Sequence, residues 1–154
     1  MRPPDIQAEE GGMGMIVKTV IRWLKGPILL FGIYIIIYGH VAPGGGFGGG
    51  VVIASAFILM TLAYGEPYTL EFLSRDTALT LACIGLLIFV GLAWAGTWAG
   101  SGVFFDNLTA NRAGHQAHLF LTALEVGSGL FVSGALFLGF SVLMGHYGDE
   151  EDEG

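Results

Sequence analysis

The chain has 154 residues, 53% of them apolar and only 12% charged, with a formal net charge of −7 from 6 Lys and Arg against 13 Asp and Glu. A soluble globular domain carries about twice that charged fraction, which argues against a soluble enzyme. The absence of a basic stretch interleaved with aromatic residues argues against a nucleic-acid binder.

Taken in order, residues 1–15 are polar and Gly-rich with no apolar core ahead of them, so they read as a flexible cytoplasmic leader rather than a cleavable signal peptide. The first predicted span covers about 16–38. Its opening is amphipathic: Lys18, Arg22 and Lys25 follow spacings of 4 and 3, share one helix face, and have stems long enough to snorkel toward headgroups. Pro27 removes a backbone donor within it and predicts a kink. The second span, about 47–64, closes at Gly65 and Glu66-Pro67, and the third, about 77–96, follows Arg75 and Asp76. Cys83, the one cysteine, lies inside that third run, where it reads as a small buried hydrophobe. The fourth span, about 118–144, is the longest and contains Glu125, the one acidic residue within any span. After it, 146–154 carries the block Asp149, Glu150, Glu151, Asp152 and Glu153, which reads as a solvated, disordered acidic tail.

The fold class is therefore all-α, a polytopic membrane protein with a four-helix transmembrane domain over 16–145. Four crossings place both termini on one side. Arg2, Lys18, Arg22, Lys25 and Arg75 lie on that side against Arg112 on the other, and five against one predicts cytoplasmic N and C termini. Small residues four apart, Gly50 with Ala54, Ala78 with Ala82, Gly91 with Ala95, Gly129 with Ser133 and Ala135 with Gly139, predict close helix approach in lipid. Four helices cannot satisfy so many small faces among themselves, which predicts life inside a larger assembly.

The strongest local signal joins the first two spans. From Gly44 to Gly50, six of seven residues are glycine, with Phe47 the exception. Glycine permits positive φ and close backbone approach, so one reading is a tight packed turn. A second is an anion or phosphate cradle made by exposed amides at the N terminus of the second span. A Walker motif would continue with Lys and Ser or Thr, whereas Val51 and Val52 follow here, which favours the packed turn.

These residues look familiar. Gly39-His40, then Pro43-Gly44-Gly45-Gly46-Phe47, then Gly49-Gly50 and a small-residue helix with Ala54 and Ala56 resemble the signature of the B subunit family of Mrp-type multisubunit sodium/proton antiporters. The same module occurs in the membrane arms of energy-converting hydrogenases and related sulfur reductases. Members typically carry Gln where this chain has Gly48, a departure that removes any side-chain contact there and leaves the turn intact. Glu125-Val126-Gly127 fits a second family pattern, an acidic residue followed by an aliphatic one and glycine in the last span.

A carboxylate within a span costs roughly 2.5–3.5 kcal/mol on insertion scales and usually faces a polar cavity or a partner. Glu125 is therefore a candidate for an ion or proton pathway, or a structural carboxylate bonded to a neighbouring subunit. His118, seven residues earlier, lies on nearly the same helix face two turns away, too far for contact but within reach of a water-linked relay. His115 and His118 are three apart, yet a structural zinc wants four ligands, so they read as polar residues at a span entrance that could handle protons. His40 reads as a hydrogen-bonding anchor at the turn and, with Glu125, His118 and His115, as a candidate for the ion or proton pathway. One cysteine cannot ligate an iron–sulfur cluster, so no cofactor is expected in this chain and any redox centre would lie in other subunits. The resemblance implies a non-catalytic subunit of a cation/proton antiporter in the cell membrane, with sodium and protons as the transported species and other membrane subunits as partners. The alternative it implies is an accessory subunit of a redox-driven ion-pumping complex.

Overall fold

The computed structural model describes residues 14–39, 41, 44–96 and 115–152, with side chains on the last helix described over 119–145. Five helices account for nearly all of it: α1 (Met15–Ile37), α2 (Gly45–Tyr64), α3 (Glu66–Phe72), α4 (Arg75–Gly96) and α5 (His115–Asp152). Four of them are long and apolar enough to cross a membrane. Each expected span is present, extended by one to three residues at its start. The sequence reading missed α3, a seven-residue helix with Pro67 in its first turn, where Pro costs no hydrogen bond. The last apolar span, Leu119–Gly145, lies where the sequence places it, while α5 itself continues as helix to Asp152 through the acidic run expected to be a loose tail. Extending a helix that already exists avoids the nucleation penalty, and Glu is a good helix former. The leader 1–13 and the loop 97–114 lie outside the described residues.

The four long helices stand in a row. The extensive pairings are α1 with α2, α2 with α5, and α5 with α4. Within that row α1 is antiparallel to α2, α2 is parallel to α5, and α5 is antiparallel to α4. Backbones approach closely because glycine stands at each crossing. A Cβ on Gly49 would lie 2.8 Å from the Gly32 carbonyl, one on Gly50 2.7 Å from the Gly129 carbonyl, and one on Gly85 2.6 Å from the Gly127 carbonyl. Of the predicted small-residue pairs, Gly50 meets α5 and Ala78 with Ala82 meets Gly134. Among the described residues nothing lies within 4 Å of a Cβ at Gly91 or Gly139, so no described helix uses those two positions. Helix α1 runs unbroken through Pro27.

Between the helices the core is small: Ala54, Ala56, Ala63, Ala78, Ala82 and Ala93 are buried, with Phe137 as its one large ring, edge-on to Phe57 at 5.9 Å. The outer faces are apolar and uncovered, with Trp23, Leu30 and Leu87 each at least 70% exposed. Cys83 is exposed as well, on the outward face of α4 rather than in the core. A row one helix thick has little interior, and such faces fit lipid or other subunits.

Candidate functional site

Helix α1 ends at Ile37 and the chain reverses through Gly39 into α2. The reversal needs glycine for two separate reasons. Gly44 and Gly45 adopt φ of 134° and 55°, a region L side chains rarely enter. Gly39 must be bare because a Cβ there would lie 2.7 Å from the Gly45 Cα and 3.0 Å from the Glu125 carboxylate. The first turn of any α-helix leaves backbone N–H groups without intrahelical partners, and here those of α2 face α5.

What fills that space is Glu125. Its Oε2 accepts a short hydrogen bond from the Gly46 N–H, 79 residues away in sequence. A Cβ on Gly45 would stand 2.8 Å from the same oxygen, and a Cβ on Gly46 would collide with the Glu125 carbonyl oxygen and with Ser128 Oγ. Ser128 Oγ donates in turn to the Glu125 carbonyl at 3.0 Å. The glycine run is thus a packed turn, and one amide at its helix start, that of Gly46, bonds a carboxyl group of this same chain. A hydrogen bond to a charged group contributes about 1.5–3 kcal/mol and the positive end of a helix about 0.3–1 kcal/mol.

Glu125 lies ten residues into α5, about 15 Å along its axis at 1.5 Å per residue. The α1–α2 turn is level with it, so α1 and α2 stop short while α4 and α5 continue. Val41, in the turn, is 73% exposed. Of the other expected turn residues, Gly49 and Gly50 are buried against α1 and α5, and Phe47 is exposed. Pro43 and His40 lie outside the described residues. His115 and His118 are within helical α5, but their side chains also lie outside what is described. Among the described residues no group of His, Cys, Asp and Glu could hold a metal ion.

Two clusters escaped the sequence reading. At the far end of the row Arg75 pairs with Glu66, Arg75 Nε donates to Ser141 Oγ at 3.2 Å, and Ser141 Oγ donates to Glu66 at 3.1 Å, tying α3, α4 and α5 together. Ser141 is 1% exposed. Its small side chain leaves no periodic trace, and in the sequence Arg75 reads as a span boundary and an orientation signal. The second cluster is a cavity of about 350 Å³ between Lys25, Gly26 and Leu29 of α1 and Ala56, Phe57 and Met60 of α2, bordered by Phe72. Tyr64 donates its hydroxyl to the Lys18 carbonyl at 2.8 Å.

Residues 16–138 match the family described as "Domain related to MnhB subunit of Na+/H+ antiporter", a range that includes the glycine turn, Glu125 and most of α5. A protein of Staphylococcus epidermidis provisionally named antiporter subunit mnhB2 is 35% identical over 125 residues, covering 79% of this chain and 88% of the relative. A protein of the same name from Staphylococcus aureus is 35% identical over 116 residues, covering 73% of this chain and 82% of its own length. One from Staphylococcus saprophyticus is 41% identical over 76 residues, about half of each chain. With the family match running through four apolar helices and the glycine turn, this chain belongs to the MnhB family of sodium/proton antiporter membrane subunits.

Proposed function

We propose that this chain is a non-catalytic subunit of a plasma-membrane sodium/proton antiporter complex, and that Glu125, seated on the α2 N terminus, supports the ion pathway. The observation that carries the reading is the Gly46–Glu125 hydrogen bond at the non-helical α1–α2 turn. Within the depth of a bilayer, non-helical backbone is tolerated only against protein or a water-filled cavity, and one flank of this turn is open at Val41. A partner subunit or a polar passage completes it. A carboxylate there suits transient binding of sodium or exchange of a proton, and His118, two turns along the same helix, is the candidate for a second, water-linked proton station. Both termini face the cytoplasm in this reading, on the side rich in Lys and Arg.

The test is Glu125→Gln in the whole complex. Gln keeps the shape and an acceptor for the Gly46 N–H, so subunit content in membranes is expected to be normal while sodium-dependent proton exchange in vesicles falls at least tenfold. Normal exchange in an intact complex would reduce Glu125 to a brace for the turn. A mass-spectrometric inventory of the same purified complex identifies the partners and tells an antiporter from a hydrogenase or sulfur reductase membrane arm.

A further inference from the structure

The cavity between α1 and α2 has no part in the Glu125 site. Its described walls are apolar apart from Lys25, which is half-buried. The Lys25 ammonium sits 3.9 Å from Met60 Sδ and 5.4 Å from the centre of the Phe72 ring. Both contacts hold the ammonium in place, and neither carries a negative charge. Its depth is set by the helix register. Phe57 packs on Phe137, so Met60, three residues further on, is level with the Arg75–Glu66–Ser141 cluster. From Glu125 to Ser141, α5 rises about 24 Å, most of the roughly 30 Å hydrocarbon core. Lys25 therefore lies at a membrane boundary, with the cavity reaching inward from it past Leu29 and Phe57.

We propose that this cavity binds an acidic phospholipid, with the headgroup phosphate on the Lys25 ammonium and one acyl chain along Leu29, Phe57 and Met60. Three features select that occupant. A half-buried cation among apolar groups calls for an anion. The volume falls in the range of about 300–1,000 Å³ that small-molecule sites occupy. Finally, no described wall residue is a carboxylate that could receive the ammonium of a zwitterionic headgroup. Gly26 contributes by what it lacks: a Cβ there would meet nothing within 4 Å, so the site is open at that position.

The membrane complex containing this chain, purified in detergent, is offered phosphatidylglycerol and phosphatidylcholine of identical acyl chains in equal amounts, and lipid bound to this subunit is counted by native mass spectrometry after the subunit is released in the gas phase. Wild type is expected to retain phosphatidylglycerol about fivefold over phosphatidylcholine, the factor equivalent to about 1 kcal/mol for one Lys at a headgroup. Lys25→Met removes that preference, and Gly26→Leu fills the cavity and lowers retention of both lipids. Excess inorganic phosphate leaves the lipid bound because the acyl chain contributes. Equal retention of the two lipids by wild type, an undiminished preference in Lys25→Met, or displacement by phosphate alone would each overturn the proposal. Helix content by circular dichroism shows whether a variant has folded, and if one has not, the other decides.

Discussion

Gly46 and Gly48 belong to the same glycine run and the same helix, yet the structure assigns opposite signs to the same substitution. At Gly48 an added Cβ meets nothing within 4 Å, so Gly48→Ala gains the helical preference of alanine over glycine, about 0.5–1 kcal/mol. At Gly46 the Cβ would fall on the Glu125 carbonyl oxygen and Ser128 Oγ and stand 2.8 Å from the Glu125 carbonyl carbon. These are largely backbone atoms of α5 that no rotamer change can move, so α2 must retreat. Overpacking of this kind costs about 1–3 kcal/mol. The retreat also stretches the Gly46–Glu125 hydrogen bond, worth about 1.5–3 kcal/mol when one partner is charged. Against the propensity gain, Gly46→Ala is destabilising by about 2–5 kcal/mol. Thermal unfolding of the two variants in the same detergent reads the difference, with subunit content of the membrane complex as a second measure. Gly46→Ala is expected to unfold well below wild type and to deplete the complex, while Gly48→Ala equals or exceeds wild type. Equal transitions for the two variants would refute the close approach of α2 to α5 on which the Glu125 site depends.

Glu125→Ala strands the Gly46 N–H and is expected to destabilise by about 1–3 kcal/mol, which thermal unfolding would register where Glu125→Gln shows little change. Ser141→Ala removes a buried hydroxyl bonded to both Arg75 and Glu66 and is expected to cost about 1 kcal/mol. The ion pair itself is half exposed on the Arg75 side and contributes no more than about 1 kcal/mol, but Arg75→Met also removes the hydrogen bonds to buried Ser141, so it should cost more than Ser141→Ala, about 1–3 kcal/mol. Gly85→Ala places a Cβ 2.5 Å from the Phe131 backbone nitrogen and separates α4 from α5, whereas Gly91→Ala, one and a half turns away in open space, should be neutral or mildly stabilising; comparing their unfolding temperatures tests that crossing.

The spans were legible in the sequence because a bilayer imposes a length and an apolar composition on each helix, and both survive in a one-dimensional reading. The glycine run and Glu125 were each conspicuous for the same local reason: six glycines in seven residues and one acid within an apolar span violate what an ordinary helix would carry. That they form one site was not legible. Gly46 and Glu125 are 79 residues apart, and their meeting depends on α2 lying parallel to α5 in one register. That register is set by bare backbone at the Gly32–Gly49, Gly50–Gly129 and Gly85–Gly127 crossings. Sequence spacing places small residues on a helix face without saying which face of which helix they will meet, and so Gly91 and Gly139 read as equivalent to Gly50 yet meet none of the described residues. The same holds for Lys25, which reads as one of three snorkelling cations until α2 and α3 place Met60 and Phe72 beside it. Residue type and period determined what crosses the membrane; packing of backbone against backbone decided which polar groups share a site.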